Sequence, residues 1–221
     1  MSTNKFSVAC DDYRYLRTRG YPEKATLKIV ADRHRLSRQE RNCLFRGVIA
    51  PEGAKARKAK IIPLQEAAGA PWGVDWYNVL ITVESYLHGH AVFLCDDGMV
   101  RDSSGTHGSY RVSAVTNRAR DAVITALSAG APARVDIYLD APIAFSAKMA
   151  EDLRQALAAA RVTGEVALVH SADYPLKRYE GIVASSDSTI MDSAARALDL
   201  ARHALLRSFG FTPPAVEELF S

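Results

Sequence analysis

The chain has 221 residues and a mass of 24.1 kDa, enough for one domain with a substantial core, or for one domain and a small appendage. Hydrophobic residues make up 48% and charged residues 24%, values typical of a globular protein. No apolar run approaches bilayer length and no signal-peptide core is visible, so we expect no membrane segment. Three widely spaced cysteines without a Cys-x-x-Cys pair argue against a disulfide framework or a zinc site and favour a reducing cytoplasm.

The charge is distributed unevenly along the chain. Residues 1–60 carry 15 Lys and Arg against 6 Asp and Glu, a net charge of +9, while the rest of the chain has a net charge of −6. A basic first part joined to an acidic second part suggests that a module gripping a polyanion precedes a domain that concentrates carboxylates. Helices with solvated basic faces would give the same pattern, and composition does not decide between the two interpretations.

Residues 1–60 are predicted to form a basic helical region. Apolar spacing favours helices at 6–19 and 22–32, and Ser37 followed by Glu40 is a capping-box pattern that predicts a third helix to about residue 48. Residues 51–60 are rich in Lys, Arg, Ala and Gly, which we interpret as a linker or an exposed basic loop. Four arginines in or beside these helices are candidates for binding phosphate groups: Arg33, Arg35, Arg38 and Arg41.

Residues 61–221 are predicted to form an α/β domain, because short apolar runs alternate with helical patterns. Asp97-Gly98 between apolar runs indicates a hairpin, residues 101–110 are interpreted as an exposed loop, and 78–87 fits either a strand or a helix. Further helices are predicted at 116–129, 146–160 and 189–209, with strands ending at Asp75, Asp140, near His170 and near Ser186.

Three predicted strands end at or just before an aspartate: Asp75, Asp140 and Asp187. The carboxyl ends of parallel strands meet at one crevice, so we expect these three carboxylates to converge there as catalytic residues and as ligands of Mg²⁺ or Mn²⁺. Asp192, five residues after Asp187, is a further candidate ligand. Two such ions can activate a water molecule and stabilise the leaving oxygen of a phosphoryl displacement. Asn78 and Arg101 are candidate substrate-binding residues near this crevice.

Each of these aspartates also has an ordinary structural interpretation. Asp187 precedes a predicted helix, where an aspartate commonly serves as the N-cap. Asp140 stands before Ala-Pro, where it fits a turn. The sequence leaves both interpretations open.

Two segments resemble the NYN branch of PIN-like nucleases. Val74-Asp75-Trp76-Tyr77-Asn78-Val79 resembles the Asp-Gly-Tyr-Asn opening of that branch, with Trp76 in place of the glycine. Residues 184–190 resemble a later strand of the fold whose end supplies another acidic ligand. The whole chain is similar to a family of bacterial and archaeal proteins of unknown function, in which a basic helical part precedes a PIN-like part; residues 96–102 and 139–143 are typical of it.

The resemblance implies a PIN-like three-layer α/β fold with a mainly parallel sheet and Mg²⁺- or Mn²⁺-dependent cleavage of RNA. We therefore expect a cytoplasmic metal-dependent ribonuclease whose partner is RNA and which acts without a membrane. A non-catalytic RNA-binding or regulatory protein on the same fold is the main alternative, and a Mg²⁺-dependent enzyme acting on a small phosphoester is another. The sequence leaves the oligomeric state open, a homo-oligomer included.

Overall fold

The computed structural model describes residues 4–104 and 110–220. Its first part consists of four helices, three of which match the predicted ones closely. The carboxamide of Asn4 caps the first helix, and the predicted capping box forms at the third, where Ser37 and Glu40 exchange hydrogen bonds. The four helices are α1 (Lys5–Thr18), α2 (Glu23–Arg33), α3 (Arg38–Gly47) and α4 (Pro51–Lys58).

The prediction of a linker or exposed loop over residues 51–60 is wrong, because helix α4 occupies most of it. Pro51 is the first residue of this helix, a position where its missing N–H has no helical partner to lose. Alanine, lysine and arginine are good helix formers, so the composition that suggested an exposed loop is also that of a helix. Ala54 is buried, and Arg57 contacts the second part of the chain.

The second part is an α/β structure built on a parallel sheet. Its strands and helices, in chain order, are β1 (Pro71–Asp75), α5 (Trp76–Leu87), β2 (Val92–Leu94), β3 (Val100–Asp102), α6 (Thr116–Gly130), β4 (Arg134–Asp140), α7 (Ser146–Ala159), β5 (Gly164–Val169), α8 (Asp173–Leu176), β6 (Ile182–Ala184), α9 (Ser188–Ser193), β7 (Arg196–Ala197) and α10 (Leu200–Phe209). The five-stranded sheet has the order β5-β4-β1-β6-β7, and every neighbouring pair is parallel. The predicted α/β fold with a mainly parallel sheet is confirmed.

The sheet lies between two layers of helices. Trp72 and Val74 of β1 point into the main core, which they share with α5, α6, α7 and α10. Val183 of β6 points to the opposite face and packs on α8 and α9. Gly73 lies on that second face, where a Cβ atom would come within 2.9 Å of the Tyr179 ring. The alternation of side chains along each strand therefore produces the expected three-layer arrangement.

The strand register brings the carboxyl ends of β1, β4 and β6 to one end of the sheet. Val74 pairs with Ile137 on one side and with Ala184 on the other. Asp75 consequently lies between the last residues of β4 and the loop after β6. That loop, residues 185–187, leads into α9.

The prediction of a single long helix over 189–209 is wrong, since the chain there forms α9, β7 and α10 in succession. Strand β7, which separates α9 from α10, adds the last strand to the sheet. It also pairs with the segment after α4: the backbone N–H of Ala197 donates to the carbonyl of Lys60 (2.8 Å), and the N–H of Ile62 donates to the carbonyl of Ala197 (2.9 Å). Residues 78–87, which the sequence left undecided, are helical as part of α5.

Strands β2 and β3 form the predicted hairpin at Asp97-Gly98, where Gly98 has a φ of +83°. Phe93 and Cys95 of this hairpin pack into the core of the N-terminal helices. Arg101 and Asp102 belong to β3, and Ser103 and Tyr110 are buried as they are, so the prediction of an exposed loop is wrong for these four residues. Residues 105–109 of that predicted loop lie outside the described residues.

Among the helices of the described ranges, none has the length and apolar content needed to cross a membrane.

A cleft between the N-terminal helices and the end of the sheet

A cleft of about 690 Å³ lies between the N-terminal helices and the carboxyl end of the sheet. One wall consists of residues from α3, α4 and the connection between them, together with Arg17 of α1 and Glu23 of α2. The opposite wall is formed by Asp75, Asn78 and the loop that contains Ser186 and Asp187. The basic part and the acidic part of the chain therefore face each other across one cavity.

Asp75 ends β1 at the bottom of this cleft and is only 3% exposed. The Ser185 hydroxyl donates a hydrogen bond to its Oδ2 (2.8 Å). Burial raises the pKa of Asp75 to about 7, and the nearby charges of Asp140 and Asp187 add to the increase. The three predicted aspartates are thus close enough for the charges of Asp140 and Asp187 to affect the pKa of Asp75.

Asn78 lies in the first turn of α5 and connects this helix to the loop after β6. Its Oδ1 accepts hydrogen bonds from the backbone N–H of Ser186 (2.8 Å) and from the Ser186 hydroxyl (2.9 Å). Predicted as a substrate-binding residue, Asn78 does line the cleft, and it also holds the loop that carries Asp187.

Asp187 is the N-cap of α9, as its structural interpretation predicted. Its Oδ1 accepts hydrogen bonds from the backbone N–H groups of Thr189 (2.8 Å) and Ile190 (3.1 Å). Burial alone would raise its pKa, but these hydrogen bonds and the charge of Arg101 lower it below the usual value. The same residue lines the cleft, so capping and exposure to a ligand are combined in one side chain.

Asp140 and Asp192 are placed differently from Asp75 and Asp187. Oδ1 of Asp140 accepts the backbone N–H of Ala172 (2.9 Å), and Asp140 is not among the residues that line the cleft. Asp192 does line it, but Arg57 grips both oxygens of this carboxylate, with Nε–Oδ1 and Nη2–Oδ2 distances of 2.7 and 2.9 Å. Its position is in the last turn of the short α9, and not in the first turn of a long helix.

Arg101 is a buried structural cation, which argues against its predicted role in phosphate binding. Its guanidinium forms two hydrogen bonds with the fully buried carboxylate of Asp97 (2.9 and 2.8 Å). The Nε–H of Arg101 donates to the carbonyl of Ser186 (2.9 Å). Arg101 therefore helps to fix the loop next to Asp187 from the side of the hairpin.

The four arginines predicted to bind phosphate do not line the cleft. Arg33 lies 3.7 Å from a carboxylate oxygen of Asp12, and Arg41 donates to the carboxylate of Asp32 (2.9 Å). Arg35 and Arg38 are exposed to solvent. The arginines that do line the cleft are Arg17, Arg46, Arg57 and Arg101.

Asp75 and Asp187 both line the cleft and are the residues that could hold a magnesium ion there. Among the described residues, no group of three or more His, Cys, Asp or Glu side chains is arranged to hold a metal ion. Magnesium, however, commonly binds one or two protein carboxylates and completes its coordination with water and substrate phosphates. Asp75 and Asp187 line the same cleft, and Asp75 is a buried carboxylate beside two other negative charges. Such a site agrees with a two-carboxylate centre and does not support a four-aspartate cluster.

Sequence reasoning missed Arg46, Arg57, Asp97 and Ser185. The pairing of Arg57 with Asp192 joins residues 135 positions apart, and no local pattern announces it. A weak signal existed for Asp97 and Arg101, since residues four apart across a tight hairpin turn can pair. Ser185 follows an apolar strand, but serine there is equally common in loops.

Comparison with known proteins places the chain in a family. Residues 64–203 match a family model described as "Domain of unknown function (DUF5616)", and residues 5–60 match one described as "Protein of unknown function (DUF434)". The chain is 34% identical over 185 residues to a protein of Methanocaldococcus jannaschii described as "Uncharacterized protein MJ0935", covering 84% of this chain and 88% of that protein. No solved structure matches. The chain belongs to the DUF5616 family, which confirms the expected membership of a family of unknown function.

Proposed function

We propose that this protein is a metal-dependent ribonuclease that acts in the cytoplasm. The observation that carries the proposal is the cleft itself, in which Asp75 and Asp187 at the end of the sheet share one cavity with arginines of the N-terminal helices. A phosphodiester is an anion that must approach both a cation-binding carboxylate pair and compensating positive charge. A cleft lined by both carboxylates and arginines offers both.

In this proposal Asp75 and Asp187 would hold Mg²⁺ or Mn²⁺. A metal ion bound there would supply a Lewis acid and lower the pKa of a water molecule for hydrolysis. The Ser185 hydroxyl orients Asp75, and Asn78 holds the backbone of Ser186 so that Asp187 remains at the cleft. Asp140 would act through its charge, since it contributes to the raised pKa of Asp75 without lining the cleft.

Two further observations support an RNA substrate. Residues 1–60 carry a net charge of +9, which favours a polyanionic partner, and part of that charge lines the cleft. The segment around Asp75 resembles the opening of NYN nucleases, although Trp76 replaces a glycine. Trp76 is fully buried, so this replacement alters the packing beneath Asp75 and not the surface of the cleft.

The test is Mg²⁺-dependent cleavage of single-stranded and structured RNA by the wild-type protein and two variants. Asp75→Asn and Asp187→Asn preserve side-chain size, and asparagine caps helices about as well as aspartate, so both variants should fold. We expect wild-type cleavage to yield 5′-phosphate and 3′-hydroxyl ends, to stop in chelator, and to be lost in both variants.

Asp121→Asn is the matched control, because Asp121 is an exposed aspartate of α6 paired with Arg120 outside the cleft. This variant should cleave at the wild-type rate. Cleavage that continues in chelator, or at full rate in Asp75→Asn, would contradict the proposal.

A non-catalytic RNA-binding protein is the second candidate. It is favoured by the ion pair that occupies Asp192 and by the absence, among the described residues, of a group of three metal ligands. This alternative predicts RNA binding that survives in Asp75→Asn and in chelator, with no cleavage by the wild-type protein. A small-phosphoester enzyme is less well supported, because residues of the N-terminal helices form one wall of the cleft.

A further inference from the structure

Phe45 and Arg46 stand side by side in the last turn of α3, and both line the cleft. Phe45 is 42% exposed, an unusual position for a phenylalanine whose neighbours Cys43 and Leu44 are fully buried. The exposed part of Phe45 therefore adjoins a cavity lined by many polar residues. A single exposed aromatic residue would mean little by itself, but this one lies beside a guanidinium in a cleft.

The carboxylate contact of Arg46 is longer than those of Arg57 and Arg101. Its Nη2 lies 3.4 Å from Oδ2 of Asp102, a long hydrogen bond. Within the described ranges, its Nε–H is buried and has no hydrogen-bond acceptor. By contrast, Arg57 and Arg101 each make two short bonds to a carboxylate, at 2.7 to 2.9 Å. Arg17, the remaining cleft arginine, lies 3.7 Å from a carboxylate oxygen of Glu23 and donates to the carbonyl of Tyr21 (2.8 Å). Arg46 therefore combines a long contact to Asp102 with an N–H group that an external anion could satisfy.

We propose that Phe45 and Arg46 form a nucleotide subsite for single-stranded RNA, with the base stacked on Phe45 and a phosphate bound by Arg46. This inference rests on the proposed ribonuclease function and specifies its substrate. Stacking on an aromatic side chain combined with a nearby cation is a common way to hold single-stranded nucleic acid without reading its sequence. The N-terminal helices would then contact RNA through the inner wall of the cleft and not through the outward arginines of α2 and α3.

The subsite selects single strands because a base can stack on Phe45 only if its face is free. In a duplex both faces of each base are covered by neighbouring base pairs. The volume of about 690 Å³ is in the range of pockets that enclose small ligands, so it accommodates a short segment of one strand.

The first experiment measures binding without cleavage. The probe is a 5′-fluorescein-labelled oligouridylate of eight nucleotides, and its affinity is measured by fluorescence anisotropy in chelator. Phe45→Ala should weaken binding about 5- to 150-fold, the range expected for loss of one base–aromatic stack. Phe45→Trp should restore it. Tyr15→Ala, which removes a 58% exposed aromatic residue of α1 outside the cleft, is the matched control and should bind as wild type.

The second experiment tests the cation. Arg46→Gln should weaken binding and reduce the slope of log K against log salt by about 0.7, the value for one phosphate contact on a single strand. Arg38→Gln removes the same charge from an exposed position of the same helix outside the cleft, and should leave affinity and slope unchanged. Thermal melts of each variant identify any loss of folding. If Arg46→Gln is unstable, the binding measurement on Phe45→Ala tests the subsite instead, because Phe45 is exposed.

The outcomes separate this inference from the ribonuclease proposal. Unchanged binding in Phe45→Ala, or equal binding of the probe and of the same sequence in a duplex, would overturn the subsite even if the wild-type protein cleaves RNA. Phe45-dependent binding in a protein that never cleaves would support the subsite and contradict the nuclease.

Discussion

Two buried aspartates in neighbouring regions of the molecule have opposite surroundings. Asp97, in the turn of the β2–β3 hairpin, is completely buried and receives two hydrogen bonds from Arg101. Asp75, at the end of β1, is 3% exposed, but it receives a serine hydroxyl, and the charges near it are those of two further aspartates. Both residues are buried aspartates, but the charge of Asp97 is compensated by Arg101, whereas the charges near Asp75 have the same sign as its own.

The contrast separates a structural carboxylate from a candidate functional one. A buried ion pair that retains both partners and good geometry can be tolerated, while a buried charge without its partner costs several kcal/mol. Asp75, buried beside like charges, carries such a cost at the end of the sheet that faces the cleft. A bound cation would remove the repulsion there. The hairpin, by contrast, contains its own cation.

The largest effect is expected from removing the compensated carboxylate. Asp97→Ala leaves the guanidinium of Arg101 buried without its partner, so the free energy of unfolding should fall by about 3–5 kcal/mol. Urea denaturation monitored by circular dichroism measures it. Asp121→Ala, which breaks the exposed pair with Arg120, is the control and should change stability by less than about 1 kcal/mol. If Asp97→Ala and Asp121→Ala lower the free energy of unfolding by similar amounts, the buried Asp97–Arg101 pair contributes no more to stability than an exposed pair.

Asp199 gives an intermediate case and a pH dependence. Its two carboxylate oxygens accept the backbone N–H groups of Val100 (2.7 Å) and Arg202 (2.9 Å), and burial raises its pKa to about 6. A folded-state pKa above the unfolded value means that the folded protein binds the proton more tightly. Its contribution to stability is therefore complete below about pH 4 and is lost as pH rises through 6, by up to about 3 kcal/mol.

The Asp199→Asn variant isolates this contribution from other titrating groups. Asparagine keeps one acceptor but places an NH₂ group against the second backbone N–H, so the variant is less stable than wild type at pH 4. The stability difference between the two proteins should narrow between pH 4 and 7. Denaturant midpoints across that range test this, and a constant difference would contradict the assigned pKa.

Asp75→Asn should have the opposite sign to Asp97→Ala. Neutralising Asp75 removes the cost of burying its charge and also the repulsion from Asp140 and Asp187, while the Ser185 hydroxyl can still donate to the amide oxygen. In chelator at pH 8 we expect the free energy of unfolding to rise by roughly 2 kcal/mol. Thermal and urea melts without metal provide the measurement. A clear loss of stability would mean that the Asp75 charge is compensated in the folded protein.

The smallest effect is expected at Asp192, whose side chain is 57% exposed although Arg57 grips both its oxygens. Exposed ion pairs contribute little because solvent screens them. Asp192→Asn should lower the free energy of unfolding by no more than about 1 kcal/mol. If the Asp192→Asn variant also cleaves RNA at the wild-type rate, Asp192 is not a required metal ligand. If the variant keeps its stability but no longer cleaves RNA, the prediction that Asp192 is a metal ligand is supported.

Much of the fold could be predicted because its signals are local. The capping box at Ser37 and Glu40, the Asp97-Gly98 turn and the apolar runs of β1 and β4 each lie within a few residues of sequence. The break between α9 and α10 could not, because β7 forms only by pairing with β6 and with the segment after α4. Helix α4 had a local signal in Pro51, but its basic composition resembles that of an exposed loop.

The candidate site was predicted in part for the same reason. Strand ends are visible in the sequence, so Asp75, Asp140 and Asp187 could be assigned to one end of the sheet. Which carboxylates bond to other parts of the chain depends on distant partners: Ala172 engages Asp140, and Arg57 engages Asp192. The choice among arginines likewise depends on how the helices pack, which charge patterns along one helix do not reveal.

The segment that joins α4 to the sheet has a consequence for shortening this protein. Ile61 forms a β-bridge with Ala197 at the outer edge of β7, and the Lys60 ammonium donates to the carbonyls of Met191 and Asp192. Residues 60–62 therefore cover the edge of the sheet at β7, although residues 61 and 62 lie between the two family regions. A version of the chain beginning after residue 62 would expose an unpaired strand edge, which is a template for intermolecular pairing and aggregation. Preparations of the α/β part should accordingly retain residues 60–62 and the helix that precedes them.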